Sequence, residues 1–226
     1  VFLFVGKLEE KKNVSLLLDT FCKVNNPSIG LLIVGNGILK RDYKNNFKNY
    51  NNIHLLGNSL GGHVGLVHVL KHPERIKSLI LTGSSGLFEN GMGDTYPKRG
   101  DYEYIKKKTE VTFYDPAVAT KELVDEVYDI VNQRIKAIKV IALAKSAIRN
   151  NLGDELKEIK VPTLLIWGNN DTITPPFVGK EFNKLIPNSE LHLIDKCGHA
   201  PMMERPDEFN EILNGFLTKL SKPVPA

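Results

Sequence analysis

Gly57-Asn58-Ser59-Leu60-Gly61 fits G-x-S-x-G, and its surroundings decide the fold. The apolar run Ile53-His54-Leu55-Leu56 precedes it and reads as a short buried strand. His63 to Leu70 follows with helical spacing. Strand, sharp turn and helix is the setting in which a serine becomes a nucleophile. Glycines permit a strained turn that side chains would block. Such a turn lifts the Ser59 hydroxyl clear of the backbone and aims N–H groups at the start of the helix toward an oxyanion formed beside it.

Outward from this stretch, strand-like and helix-like segments alternate. Apolar runs at 1–5, 29–34, 53–56, 78–82, 161–167 and 190–194 read as six strands. Helical spacing occupies 13–24, 38–49, 63–70, 176–186 and 206–221. Short apolar strands alternating with helices predict a doubly wound, mostly parallel α/β sheet. Residues 87–150 break the rhythm. They open on the glycine-rich Glu89-Asn90-Gly91-Met92-Gly93-Asp94 and continue with helical patterns over 101–109, 120–133 and 134–149. They read as a helical insertion between two sheet strands, leaving 1–86 and 151–226 as the core.

Composition agrees with a globular chain. Of 226 residues, 42% are hydrophobic and 25% charged, with a net charge of +4. The lysines are dispersed, so nucleic acid is not an expected partner; the densest basic stretch, 40–48, reads as a solvated helix face. Cys22 and Cys197 are too few and too isolated for a disulfide framework or a thiolate metal site. His54, His63, His68, His72 and His192 show no ligand spacing, so neither metal nor cofactor is expected. No run is long enough to span a bilayer. Val1–Val5 is too short for a signal peptide, and a cytoplasmic location is expected. The start at Val1, without methionine, suggests an excised or processed chain.

A serine needs a base in hydrogen-bond reach, and the base needs an orienting carboxylate. In a strand–turn–helix hydrolase the partners follow in the order Ser, acid, His. Asp171 follows the strand Thr163–Trp167 through Gly168-Asn169-Asn170. His199 follows Leu191–Ile194 through Asp195-Lys196-Cys197-Gly198. Both stand at C-terminal strand ends, where open α/β sheets place their sites. Asp195 is a rival acid, though its place at a strand end favours a surface-loop role. Ser84 and Ser85 follow a strand end and either line the pocket or cap the loop, and Asn58 is a further pocket candidate. Trp167, inside an apolar strand, reads as core. Gly35-Asn36-Gly37 has the form of a phosphate loop, but a G-x-G alone is explained by turn geometry.

From about residue 53 to 221 the chain resembles the later part of an α/β-hydrolase. The matching pieces are GNSLGG (57–62), HPERIKSLILTGSSG (72–86), VPTLLIWGNNDTITPP (161–176) and LIDKCGHAPMMERPDEFN (193–210). The resemblance implies Ser59 as nucleophile, His199 as base and Asp171 as acid, the Leu60 N–H as one oxyanion donor, and residues 87–150 as a cap over the pocket. It implies hydrolysis of an ester or another activated acyl or C–C bond in a small-molecule substrate, by a monomer or homodimer. The second oxyanion donor would come from the loop after the first strand, here Gly6-Lys7-Leu8, through the backbone of Lys7 or Leu8. The usual His-Gly oxyanion motif is absent there. Losing one donor costs about 10²–10³ in rate, so the alternative is a folded but impaired or inactive scaffold.

Residues 1–57 suggest a different origin. FVGKLEEKKNVSLLLDTF (4–21), LLIVGNG (31–37) and NIHLLG (52–57) look like the start of the donor-binding domain of a nucleotide-sugar glycosyltransferase. That likeness would set Lys7 and Lys12 against a donor diphosphate. Two patterns in one chain suggest a chimera, engineered or natural, with a nucleotide-sugar-binding remnant as a weaker reading. For the strand order, the hydrolase arrangement is expected, with the second strand outside the first and the third on the first strand's other side.

Overall fold

The computed structural model describes residues 2–5, 31–34, 53–90 and 98–221. The expected helices at 13–24 and 38–49 lie outside these. Six strands run through the described residues: β1 (Phe2–Val5), β2 (Leu31–Val34), β3 (Ile53–Asn58), β4 (Ile76–Thr82), β5 (Thr163–Gly168) and β6 (Ser189–Ile194). β1 pairs with β2, and a second ladder has the order β3-β4-β5-β6; every pairing is parallel. β1 lies beside β3. With β2 on the far side of β1, this is the hydrolase order.

Side-chain alternation along the central strands explains why helices cover both faces. Leu79 and Leu81 of β4 and Leu165 and Trp167 of β5 join one buried cluster with Leu66, Val69, Val178 and Phe182. The intervening Ile80, Leu164 and Ile166 join the other, with Ile194, Phe209, Leu213 and Phe216. The first face is therefore packed by α1 (Leu60–Lys71) and by a helix at Pro176–Leu185, and the second by a helix at Pro206–Ser221. All six residues of β5 are buried, as a strand covered on both faces must be. The Trp167 ring lies over Gly179, and its indole N–H donates to the Thr174 carbonyl at 2.7 Å.

Between β4 and β5 come α2 (Tyr102–Glu110), α3 (Lys121–Asn132) and α4 (Arg134–Arg149). Asp101 and Thr120 cap the first two, their side chains accepting from Tyr104 N and Leu123 N. Among the described residues the further α-helices, in chain order, are α5 (Pro176–Leu185), the short α6 (Pro201–Glu204) and α7 (Pro206–Ser221). No helix among the described residues is long and apolar enough to cross a membrane.

Candidate active site

Ser59 is the single residue between β3 and α1. Its backbone stands at φ 51°, ψ −121°, a conformation costing about 1–3 kcal/mol in a residue with a Cβ. Three backbone bonds hold it there. Ser59 N donates to Thr82 O (3.0 Å), Ser85 N donates to Ser59 O (3.1 Å), and His63 N closes the first helical turn on Ser59 O (3.2 Å). A Cβ at Gly57 would collide with the Gly61 carbonyl, and one at Gly62 with the Ser84 side chain. The glycines flank the serine because the backbone folds onto itself. Leu60, expected as an oxyanion donor, is the first residue of α1. Its N–H is among those at a helix start that have no intrahelical acceptor.

Asp171 follows β5, with its side chain fully buried. Its Oδ1 accepts from Ile173 N (2.8 Å) and Thr174 N (3.0 Å), and its Oδ2 from Thr174 Oγ1 (2.8 Å). Oδ2 also lies 2.8 Å from His199 Nδ1. A carboxylate there places the proton of the neutral ring on Nδ1 and leaves Nε2 as an acceptor. Thr174 Oγ1 is 3.3 Å from the same Nδ1. Thr174 is a site residue that sequence reading missed. The signal was available, since Asp-x-x-Thr is a spacing at which an aspartate turns the chain back onto its own carboxylate.

β4 brings the histidine to the serine. Gly83 follows Thr82, whose carbonyl holds Ser59 N. A Cβ on Gly83 would sit 2.9 Å from His199 Nδ1, so the ring is pressed against that residue. The Asn58 amide spans the same gap. Its Nδ2 donates to Thr82 O (3.1 Å), Thr82 Oγ1 (3.0 Å) and His199 O (3.0 Å). Asn58, expected at the pocket, thus spends its donors on joining the serine turn to the histidine loop. Among the described residues no hydrogen bond joins Ser59 Oγ to His199. The structure pairs His199 with Asp171 and sets Ser59 at the same strand end without closing that last bond.

The other candidates are placed as follows. Ser84 Oγ donates to Ser85 O (2.8 Å) and Ser85 Oγ to Glu89 Oε2 (2.7 Å), with both residues buried. Asp195 is exposed and accepts from Asn169 Nδ2 at 2.8 Å. Burial first, and then Glu204, push the Cys197 thiol up to about 12, so it holds no thiolate. His54 shares a 2.7 Å hydrogen bond with Ser78 Oγ, and burial brings its pKa down to about 4. His63 is buried. Its Nε2 meets Asn150 Nδ2 at 3.2 Å while Nδ1 has no partner, and burial lowers its pKa against an opposing influence from Glu89. Lys7, Leu8, Lys12 and Cys22 lie outside the described residues. Among those described, no cluster of His, Cys, Asp and Glu is placed to hold a metal ion.

A family model described as serine aminopeptidase, S33, matches residues 38–206. The chain belongs to this α/β-hydrolase family. Relatives of this α/β-hydrolase include a 2-hydroxy-6-oxononadienedioate/2-hydroxy-6-oxononatrienedioate hydrolase of Paraburkholderia phymatum, 33% identical over 182 residues. That alignment covers 73% of this chain and 62% of the relative. The enzyme of the same name from Escherichia coli K12 is 32% identical over 185 residues, covering 74% and 62%. The chain thus spans about 62% of the length of the curated relatives it matches.

Among solved structures, an α/β hydrolase from the metagenome of Mar Chica lagoon sediments in Morocco is 34% identical, with a TM-score of 0.63. It covers 96% of this chain and 90% of that one. A meta-cleavage product hydrolase from Pseudomonas fluorescens shares the fold with a TM-score of 0.69 at 18% identity. A match over 96% of the chain takes in most of the N-terminal block as well. The glycosyltransferase origin suggested for residues 1–57, and the chimera built on it, therefore have no support.

Proposed function

We propose that the protein is a serine hydrolase in which Ser59 attacks an activated acyl carbon, His199 moves the protons and Asp171 orients His199. The observation that carries this reading is the buried 2.8 Å pair of Asp171 Oδ2 and His199 Nδ1, at the same strand end as a serine in a strained strand-to-helix turn. His199 Nε2 takes the Ser59 proton as Oγ bonds to the carbonyl carbon. The oxyanion is met by the N–H groups at the start of α1, that of Leu60 first. His199 then returns the proton to the leaving group, giving acyl-Ser59. A water deprotonated by His199 attacks that ester and releases the acid. The helices of residues 87–150 act as the cap that covers the substrate and excludes water.

For substrate we propose a small-molecule oxo acid of the kind named for the relatives, a 2-hydroxy-6-oxo dienedioate. Hydrolysis at its ketone carbon breaks a C–C bond. The 2-hydroxydiene first passes to its 2-oxo tautomer, the hydroxyl proton moving to the carbon beside the ketone. The electron pair of the broken bond then enters the conjugated 2-oxo acid as a dienolate that takes the proton from His199. Simple esters are the second substrate class, because the same acyl-serine serves both. Wild type and Ser59→Ala are compared on a p-nitrophenyl ester and on a 2-hydroxy-6-oxo dienedioate followed by loss of its conjugated absorbance. Turnover confined to wild type supports the reading, and equal rates overturn it. A folded hydrolase of impaired rate is the second reading. It draws on the missing hydrogen bond between Ser59 and His199 and on the missing His-Gly motif, and it predicts slow turnover that Ser59→Ala still abolishes.

A further inference from the structure

We propose that Glu204 is a positioning residue for His199, holding the histidine loop and the turn after α2 as one unit. Its carboxylate bridges two backbone N–H groups distant in sequence. Oε1 accepts from Gly198 N at 2.7 Å and Oε2 accepts from Tyr114 N at 2.7 Å. Gly198 immediately precedes His199, and Tyr114 lies in the turn that closes α2. A third bond crosses the same seam, His199 N donating to Thr112 O at 2.8 Å. The approach is tight. A Cβ on Gly198 would stand 2.7 Å from Thr112 O and 2.8 Å from Tyr114 N.

The backbone at His199 is therefore clamped on three sides. Its N–H goes to Thr112, its C=O receives Asn58, and the N–H before it goes to Glu204. Two of these partners are side chains, and Glu204 alone also reaches the turn after α2. The chemistry suits a carboxylate and nothing else of its size. Each N–H meets its own oxygen of the carboxylate, and hydrogen bonds to a charged acceptor are the stronger kind. Glutamine offers one oxygen and turns an NH₂ against the second N–H. α6 contributes the fixed base, since it is a single turn ending at Glu204 and begins two residues after His199.

The inference rests on the reading of His199 as general base, and its test separates the two. Wild type, Ser59→Ala, Glu204→Gln and Glu204→Asp are assayed on one ester, with thermal melts and the low-field proton resonance of the Asp171–His199 bond recorded for each. Glu204→Gln should lower kcat about 10–100-fold, the scale at which small misplacements act. KM should stay within about threefold, and the resonance should shift or broaden while the protein remains folded. Glu204→Asp keeps both oxygens but withdraws them by one methylene, so it should fall between Gln and wild type; it serves if Glu204→Gln does not fold. A kcat within twofold of wild type with an unmoved resonance overturns the proposal. If wild type is inactive, or Ser59→Ala retains activity, the reading of the base fails, and Glu204 is judged on the resonance alone. An unmoved resonance then overturns the positioning role, and a moved one supports it.

Discussion

His199 Nδ1 lies 2.8 Å from Asp171 Oδ2, with the histidine side chain 8% exposed and the carboxylate not at all. Three further donors converge on that carboxylate, two from backbone and one from Thr174. A buried carboxylate is stable only when its oxygens are satisfied in this way. The arrangement fixes the ring's tautomer and its direction together.

Asp171→Asn keeps the size of the side chain but puts an NH₂ where an acceptor stood. If the amide nitrogen faces His199, the ring must place its proton on Nε2, where it can no longer accept from a serine. kcat should fall by about 10⁴-fold with little change in KM. Steady-state kinetics on any substrate turned over by wild type checks this, and a loss under tenfold would count against Asp171 as the orienting acid.

Asn58 donates to three oxygens, two on Thr82 and one on His199. Asn58→Ala should cost about 2–3 kcal/mol at roughly 1 kcal/mol per bond, lowering Tm by roughly 5–10 °C. Asn58→Asp should be worse, since it turns a carboxylate toward the Thr82 and His199 carbonyl oxygens, which can only accept. Thermal melts of the three proteins give the order wild type, then Ala, then Asp. An Asp variant as stable as wild type would contradict the account of Asn58 as a brace.

His54 supplies a pH dependence away from the catalytic end. Burial lowers its pKa from 6.5 to about 4, so between those values the unfolded chain binds a proton that the folded one does not. Stability then rises with pH across this window. The contribution of His54 is fully present above about pH 6.5 and is lost as pH falls toward 4. His54→Asn cannot titrate there, and its Tm should vary less than that of wild type between pH 4 and 6.5. Parallel melting curves for the two proteins would contradict the shift.

Much of this was legible because it is periodic or local. The alternation of Leu79, Ile80 and Leu81 between two cores follows from strand geometry, and the three helices of 87–150 carried their own apolar spacing. The limits of β3 were less legible. The strand runs on through Gly57 and Asn58, because both pair with β4, opposite Leu81 and Thr82, and no local pattern reports a partner in another strand. α1 likewise begins at Leu60 rather than His63, since Gly61 and Gly62 read as turn residues until close packing against Gly57 and Ser84 gives them a helical role. Glu204 stood within a quoted motif, yet its two backbone partners come from segments that only the folded chain brings together. The same holds for Asn58, whose third acceptor is 141 residues away.

The central claim is that Ser59 is the nucleophile and His199 its base. Its most direct test is intact-mass spectrometry after exposure to a small fluorophosphonate, which bonds to an activated serine with loss of fluoride. Wild type should gain one adduct, mapped by peptide fragmentation to Ser59, and His199→Ala should label far more slowly. Ser59→Ala should gain none. A wild-type protein that takes no label, or a Ser59→Ala variant that labels as fast as wild type, would contradict the account.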